Sequence, residues 1–202
     1  MLLGEITTTA QLDYQTIVRD AVKKIGYNSS EVCFDASTCS VLVGIQQQSI
    51  DIAKKVHLDR ADEDIGAGDQ GIMFGYATDE TETMMPLTHE LAHRLARRLT
   101  NVRKEGIIPY LGPDGKTQVT IEYERNGAEQ KPKRIHTVLI STMHRAGVDM
   151  KKLYDDVKLH VIDPVLEGQP VDAETKIIIN PGGDFVIGGP LSDAGLTGRK
   201  II

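Results

Sequence analysis

The sequence predicts an α+β fold of small, mostly antiparallel sheets with helices on one face. Three observations predict it. Apolar residues recur at helical spacing in three separate stretches. Residues 117–125 alternate strictly, and a turn sends the chain back beside them. The elements run strand–helix–strand, then strand–helix–hairpin–helix–strand, so the two halves share a coarse pattern without a sequence repeat.

Residues 2–8 read as a short strand. A helix follows over 11–25, where Tyr14, Ile17, Val18, Ala21, Val22 and Ile25 are spaced 3, 1, 3, 1 and 3, with Gly26 beyond. The run 40–46 (SVLVGIQ) reads as a buried strand, and the polar stretch 47–68 as a long loop, of the kind that is either a functional lid or disordered. GIMFGYA, 71–77, reads as a strand. Pro86 suits the first turn of a helix over 86–105, where Leu87, Leu91, Leu95, Leu99 and Val102 form one stripe before Gly106. Val119, Ile121 and Tyr123 alternate with Thr120 and Glu122. Asn126-Gly127 makes a turn and 133–142 the returning strand. Asp149 caps a helix carrying Leu153, Val157 and Val161, expected to end near Pro164. Strands at 176–180 and 184–187 flank the turn at 181–183.

Composition narrows the function classes. The 202 residues are 40% hydrophobic and 26% charged, the balance of an ordinary folded chain. Such a chain is enough for one domain or two small ones, with a folded surface of roughly 9,400 Å². Twenty-three basic and 29 acidic residues leave a formal charge of −6, which argues against nucleic acid and anionic membrane as partners. No Trp and only three Phe leave few platforms for single-stranded bases. Cys33 and Cys39 are too few for a disulfide scaffold or a four-Cys zinc site, so a reducing, cytoplasmic setting is expected. No stretch is long and apolar enough to span a membrane, and MLLGEITTT lacks the form of a signal peptide. Apolar residues at the start, and Arg199-Lys200-Ile201-Ile202 reading as a strand just begun, suggest a fragment.

Two motifs mislead. Gly66-Ala67-Gly68-Asp69-Gln70-Gly71 satisfies G-x-G-x-x-G, but an acidic loop precedes it and an apparent strand follows, the reverse of the dinucleotide fingerprint. A tight turn explains it better. His89-Glu90-Leu91-Ala92-His93 satisfies H-E-x-x-H on a helix, where a zinc peptidase needs it. A third ligand is missing: Ala96 and Leu99 stand where a metzincin has Gly and His, and Arg94, Arg97 and Arg98 would repel a cation. A solvated helix face is the plainer reading, and zinc metallopeptidase stays a remote alternative.

GAGDQGIMFGYA at 66–77, followed by TDETETMMPLT, resembles the S-adenosylmethionine synthetase (methionine adenosyltransferase) family, in its eukaryotic form. The likeness extends through Gly4-Glu5-Ile6-Thr7, Gln48-Ser49, Val56-His57-Leu58-Asp59-Arg60, Pro113-Asp114-Gly115-Lys116, the run from Phe185 to Pro190, and the run from Asp193 to Lys200. It implies similar α+β domains related by pseudo-threefold symmetry, incomplete here. The implied divisions are the remainder of an N-terminal domain (1–50), a gating loop (51–65), a central domain (66–187) and the start of a C-terminal one (188–202). The implied reaction joins ATP and L-methionine into S-adenosylmethionine with release of phosphate and pyrophosphate, in a homodimer or homotetramer with interfacial active sites. Glu5, Gln48 and Asp193 would hold methionine. Asp114, Gly115, Lys116, Gly182, Gly183, Asp184, Phe185, Asp193, Arg199 and Lys200 would hold ATP, with Phe185 stacked on adenine. Asp69, Lys116, Arg199 and Lys200 would be the catalytic set. Mg²⁺ and K⁺ are implied as cofactors, with ligands mostly in the family's H-P-D-K and G-G-G-A-F-S-G-K-D segments, which this chain lacks, so no metal ligand is assigned and the chain alone is expected to be inactive.

Three positions depart from the family pattern. Asp184 stands where G-R-F has Arg, placing a carboxylate near a polyphosphate. Ile50 replaces the Pro of QSPDI. Gly115 replaces Ala or Ser. Asp184 also motivates an alternative, a non-catalytic short subunit that pairs with a full-length synthetase.

Overall fold

The computed structural model describes residues 1–32, 34–68, 71–127 and 129–193. Within them the chain is α+β. Strand β1 (Leu2–Ile6) pairs in parallel with β4 (Val43–Gln47), and the short β2 (Asn28–Ser29) and β3 (Phe34–Asp35) pair antiparallel. Helix α1 (Tyr14–Ile25) lies between them in sequence; the Asp13 carboxylate accepts from the Thr16 N–H and Gly26 ends the helix at φ +121°.

The principal layer is a sheet in the order β5–β6–β7. The long strands β5 (Leu111–Asn126) and β6 (Glu129–His144) run antiparallel, and β7 (Lys176–Ile179) joins β6 in parallel. Helix α3 (Leu87–Lys104) lays its predicted stripe, Leu87, Leu91, Leu95, Leu99 and Val102, against Val119, Ile135, Val138 and Ile140. Ile135 and Val138 are three apart, yet both are buried, because a bulge at His136 shifts the register there. Helix α4 (Met150–Val157) starts on Asp149, whose carboxylate accepts from the N–H groups of Lys151 and Lys152. Leu153, Val157 and Val161 complete the core.

Several expectations are corrected. The 47–68 stretch contains a helix, α2 (Ile50–Val56), and a 3₁₀ turn (Asp62–Asp64). Segment 71–77 is not a strand: no neighbouring strand lies beside its described residues to take its ladder bonds, and Phe74 is 89% exposed. The helix after Asp149 does not stop at Pro164. It passes through a π turn (Lys158–Ile162) into α5 (Asp163–Leu166), where Pro164 sits in a first turn that needs no N–H from it. Strand β5 begins at 111 rather than 117. At 184–187 only Phe185 pairs, with the end of β6, because the preceding turn brings the chain out of the sheet at Asn180 (φ +43°) and Gly183 (φ +84°). The 40–46 strand is exposed rather than buried, since two strands alone cover neither of their faces.

The total accessible surface is 14374 Å², well above the roughly 9,400 Å² of a close-packed monomer. Among the described residues, large apolar side chains stay bare on β1, β4, α1 and the 72–76 segment. The N-terminal elements meet the central sheet at one end. There the Arg103 guanidinium donates to the carbonyl of Ile25 at 2.7 Å, closing the C-terminus of α1.

Candidate functional site

The structure brings together two segments far apart in sequence, around the start of β5 and the chain after β7. At the start of β5, residues 112–114 bulge opposite the single Met143, between the pairs Leu111↔His144 and Gly115↔Thr142. Pro113 and Asp114 of the Pro-Asp-Gly-Lys motif thus sit in a bulge of three residues against one, and Gly115 and Lys116 rejoin the ladder. Its carboxylate accepts from the Gly189 N–H at 2.8 Å.

After β7, Asn180 holds the exit. Its side-chain oxygen accepts from the Thr142 N–H at 2.8 Å and its amide donates to the Thr142 carbonyl at 3.0 Å, replacing the strand's own ladder. The Gly183 N–H donates to Asn180 O and closes the turn. Phe185 then docks on His144 by two bonds: the His144 N–H donates to Phe185 O at 2.9 Å, and the Phe185 N–H donates to His144 Nε2 at 3.0 Å. Gly188 is buried in the gap. A Cβ there would lie 3.0 Å from both Met143 Sδ and the Phe185 ring, and 3.1 Å from the Asp114 carboxylate. One more turn carries the chain to Asp193, whose N–H donates to Gly189 O.

Asp114, Phe185 and the 188–189 glycines therefore share one neighbourhood, with Asp193 a turn away. Gly115 and Lys116 continue β5 from it and are exposed, as are Gly182, Gly183 and Asp184 on the facing turn. Beside this cluster are two small cavities. One, of about 180 Å³, reaches Gly112, Pro113 and His144; the other, of about 80 Å³, reaches Asp114 and Gly115. Arg103 lines both, and its burial pushes the guanidinium below the ordinary arginine range, with the nearby Tyr27 opposing the shift.

Glu5 and Gln48 form a second location. Glu5 pairs with Gln46 near the C-terminal end of β1, and Gln48 follows β4, its N–H donating to Ile6 O and its side-chain oxygen accepting from the Thr7 hydroxyl at 3.0 Å. Parallel pairing puts both at the same end of the ribbon. Among the described residues, no hydrogen bond or ion pair links them to the Asp114 cluster. Asp69, Arg199 and Lys200 lie outside the described residues.

The His89 and His93 rings lie with centroids 4.1 Å apart and planes tilted by 46°, and the His93 ring N–H donates to the His89 carbonyl. Glu90 instead accepts from the Thr83 hydroxyl. Among the described residues no three His, Cys, Asp or Glu side chains converge as a metal site. No described helix is long and apolar enough to cross a membrane.

Sequence reading missed His144, Asn180 and the bulge. His144 ends an apolar run, VLISTMH, whose predicted strand stopped two residues short of it.

Two family models match this chain. The model described as "S-adenosylmethionine synthetase, N-terminal domain" matches residues 1–50, and that described as "S-adenosylmethionine synthetase, central domain" matches residues 64–185. The first match covers the Glu5–Gln48 ribbon, and the second covers Asp114 and ends at Phe185, short of Gly188 and Gly189. With both matched in order along one chain, this protein belongs to the S-adenosylmethionine synthetase family.

Proposed function

We propose that this chain forms part of a methionine adenosyltransferase, with the Asp114–Phe185 cluster taking ATP and the Glu5–Gln48 ribbon taking L-methionine. The observation that carries the reading is the Asp114–Gly189 bond, which ties the Pro-Asp-Gly-Lys and Phe-Val-Ile-Gly-Gly-Pro segments together across 75 residues of chain. The family membership supports the reaction class.

In this reading the methionine sulfur attacks C5′ of ATP. The S–C5′ bond forms, the C5′–O bond breaks, and its electron pair leaves with the triphosphate, which water then splits into phosphate and pyrophosphate. A thioether has no proton to lose, so the first step needs no general base. Positioning carries much of the acceleration; oriented reactants gain about 7–11 kcal/mol. Lys116, exposed beside the bulge, offers an ammonium to the triphosphate. Phe185 stacks on adenine, Asp114 orders the 188–189 backbone beneath it, and Asp193 serves ribose and methionine. Gly115, Gly182 and Gly183 let the chain approach the nucleotide closely. Asp69, Arg199 and Lys200 are assigned to the substrates and phosphates from the resemblance alone. The family generally works with Mg²⁺ and K⁺; no described residue is assigned to either. A second copy of the chain would cover the bare 72–76 segment, and a cytoplasmic setting accords with the free Cys39 thiol.

The test is S-adenosylmethionine formation from ATP and labelled methionine by the gene product that carries this chain. Lys116→Ala is expected to abolish turnover. Full activity in that variant would remove Lys116 from the phosphate site.

A further inference from the structure

His144 has no part in the roles assigned above, yet its geometry is specific. It ends β6 and is 2% exposed. In an antiparallel ladder a residue gives its partner two backbone bonds. Here His144 gives one from its N–H, and its ring replaces the carbonyl as acceptor of the Phe185 N–H. The other ring nitrogen, Nδ1, lies 2.9 Å from the Arg145 carbonyl. A carbonyl only accepts, so Nδ1 carries the proton and Nε2 keeps its lone pair for Phe185. Both backbone groups of Phe185 are thus held by one buried side chain and its own main chain. The Phe185 ring emerges from that clamp in contact range of the Gly188 and Asp114 position.

We propose that His144 is a positioning residue for the nucleotide base: its imidazole fixes the Phe185 backbone so that the Phe185 ring presents its face to adenine. This rests on the reading of Phe185 as the adenine platform. It assigns to His144 a selective effect on the base and none on the phosphates.

The experiment measures, by calorimetry, the affinities of the protein carrying this chain for ATP and for inorganic tripolyphosphate, which lacks a base. Phe185→Ala is expected to weaken ATP roughly tenfold, the effect of losing one stacked base, and to leave tripolyphosphate unchanged. His144→Ala is expected to reproduce that selective loss. His144→Gln, whose side-chain oxygen reaches the place of Nε2, is expected to restore most of it. Where truncation to Ala unfolds the chain, His144→Leu carries the same test, since it fills the space without an acceptor. An ATP affinity unchanged in His144→Ala or His144→Leu, with Phe185→Ala weakened, overturns the positioning role and leaves the platform standing. Equal loss of both ligands in the His144 variants also overturns it, because that marks a general structural role. An unchanged ATP affinity in Phe185→Ala removes the platform itself, and the proposal with it.

Discussion

Gly188 is the residue on which the cluster closes most tightly. Its backbone is extended (φ −145°), so any side chain is tolerated conformationally, and space alone decides. A methyl group there would press on Met143, Phe185 and Asp114 together. Gly188→Ala is expected to cost about 1–3 kcal/mol of stability by overpacking, read by denaturant unfolding, and to weaken ATP binding. Asp184 raises a different question. It is exposed, close in sequence to Phe185, and adds a negative charge where the family pattern has Arg. Asp184→Arg is expected to tighten ATP binding, an effect that fades as salt screens it. Equal affinities at low salt would mean that the side chain points away from the phosphates.

At the scale of elements, helix α4 depends on its cap. Asp149 satisfies two orphan N–H groups, and those bonds hold its carboxyl below the ordinary range. Asp149→Ala is expected to cost about 1 kcal/mol, seen as a lower Tm. This cap and the α3 stripe were legible in the sequence because each depends on residues within a turn or two of one another. So was the β5–β6 hairpin, from alternation and Asn126-Gly127. What was illegible depends on partners distant in sequence. Whether GIMFGYA forms a strand is decided by a neighbouring strand, and an apolar run alone does not reveal one. The bulge at 112–114 is set by Met143 and Asp114's bond to Gly189. Pro164 read as a stop because the π turn before it leaves no pattern of its own. Of the candidate site, Asp114 and Phe185 were legible through motif resemblance; His144 and Asn180 act by buried hydrogen bonds that no local pattern encodes.

For the whole molecule, the core and the bare surface make opposite predictions. Leu95 is fully buried between α3 and the sheet, and Leu95→Ala is expected to cost about 2–5 kcal/mol. Phe74→Asp, on the exposed 72–76 segment, is expected to leave unfolding unchanged and to lower self-association in sedimentation. Acid stability follows from the carboxylates. The Arg134 guanidinium, hydrogen-bonded to Asp172, holds that carboxyl well below the usual carboxylate range, and Asp156 is lowered by Lys152 and then by Tyr110. Unfolded, both return to about 3.9. A group depressed in the folded state contributes above its unfolded value and loses that contribution as pH falls toward its folded one. The Tm advantage of the wild type over Asp172→Asn is therefore expected to be full near neutral pH and to shrink below about pH 4. A constant gap would remove the ion pair from the account.

The central claim is that the Pro-Asp-Gly-Lys segment at the start of β5 and the chain after β7 form one nucleotide site. Photolabelling with an azido-adenine analogue of ATP, followed by peptide mapping, tests it most directly. Label in the peptides carrying Lys116 and Phe185, both displaced by unlabelled ATP, is the predicted result. Displaceable label confined to other peptides, or no displaceable label at all, would contradict it.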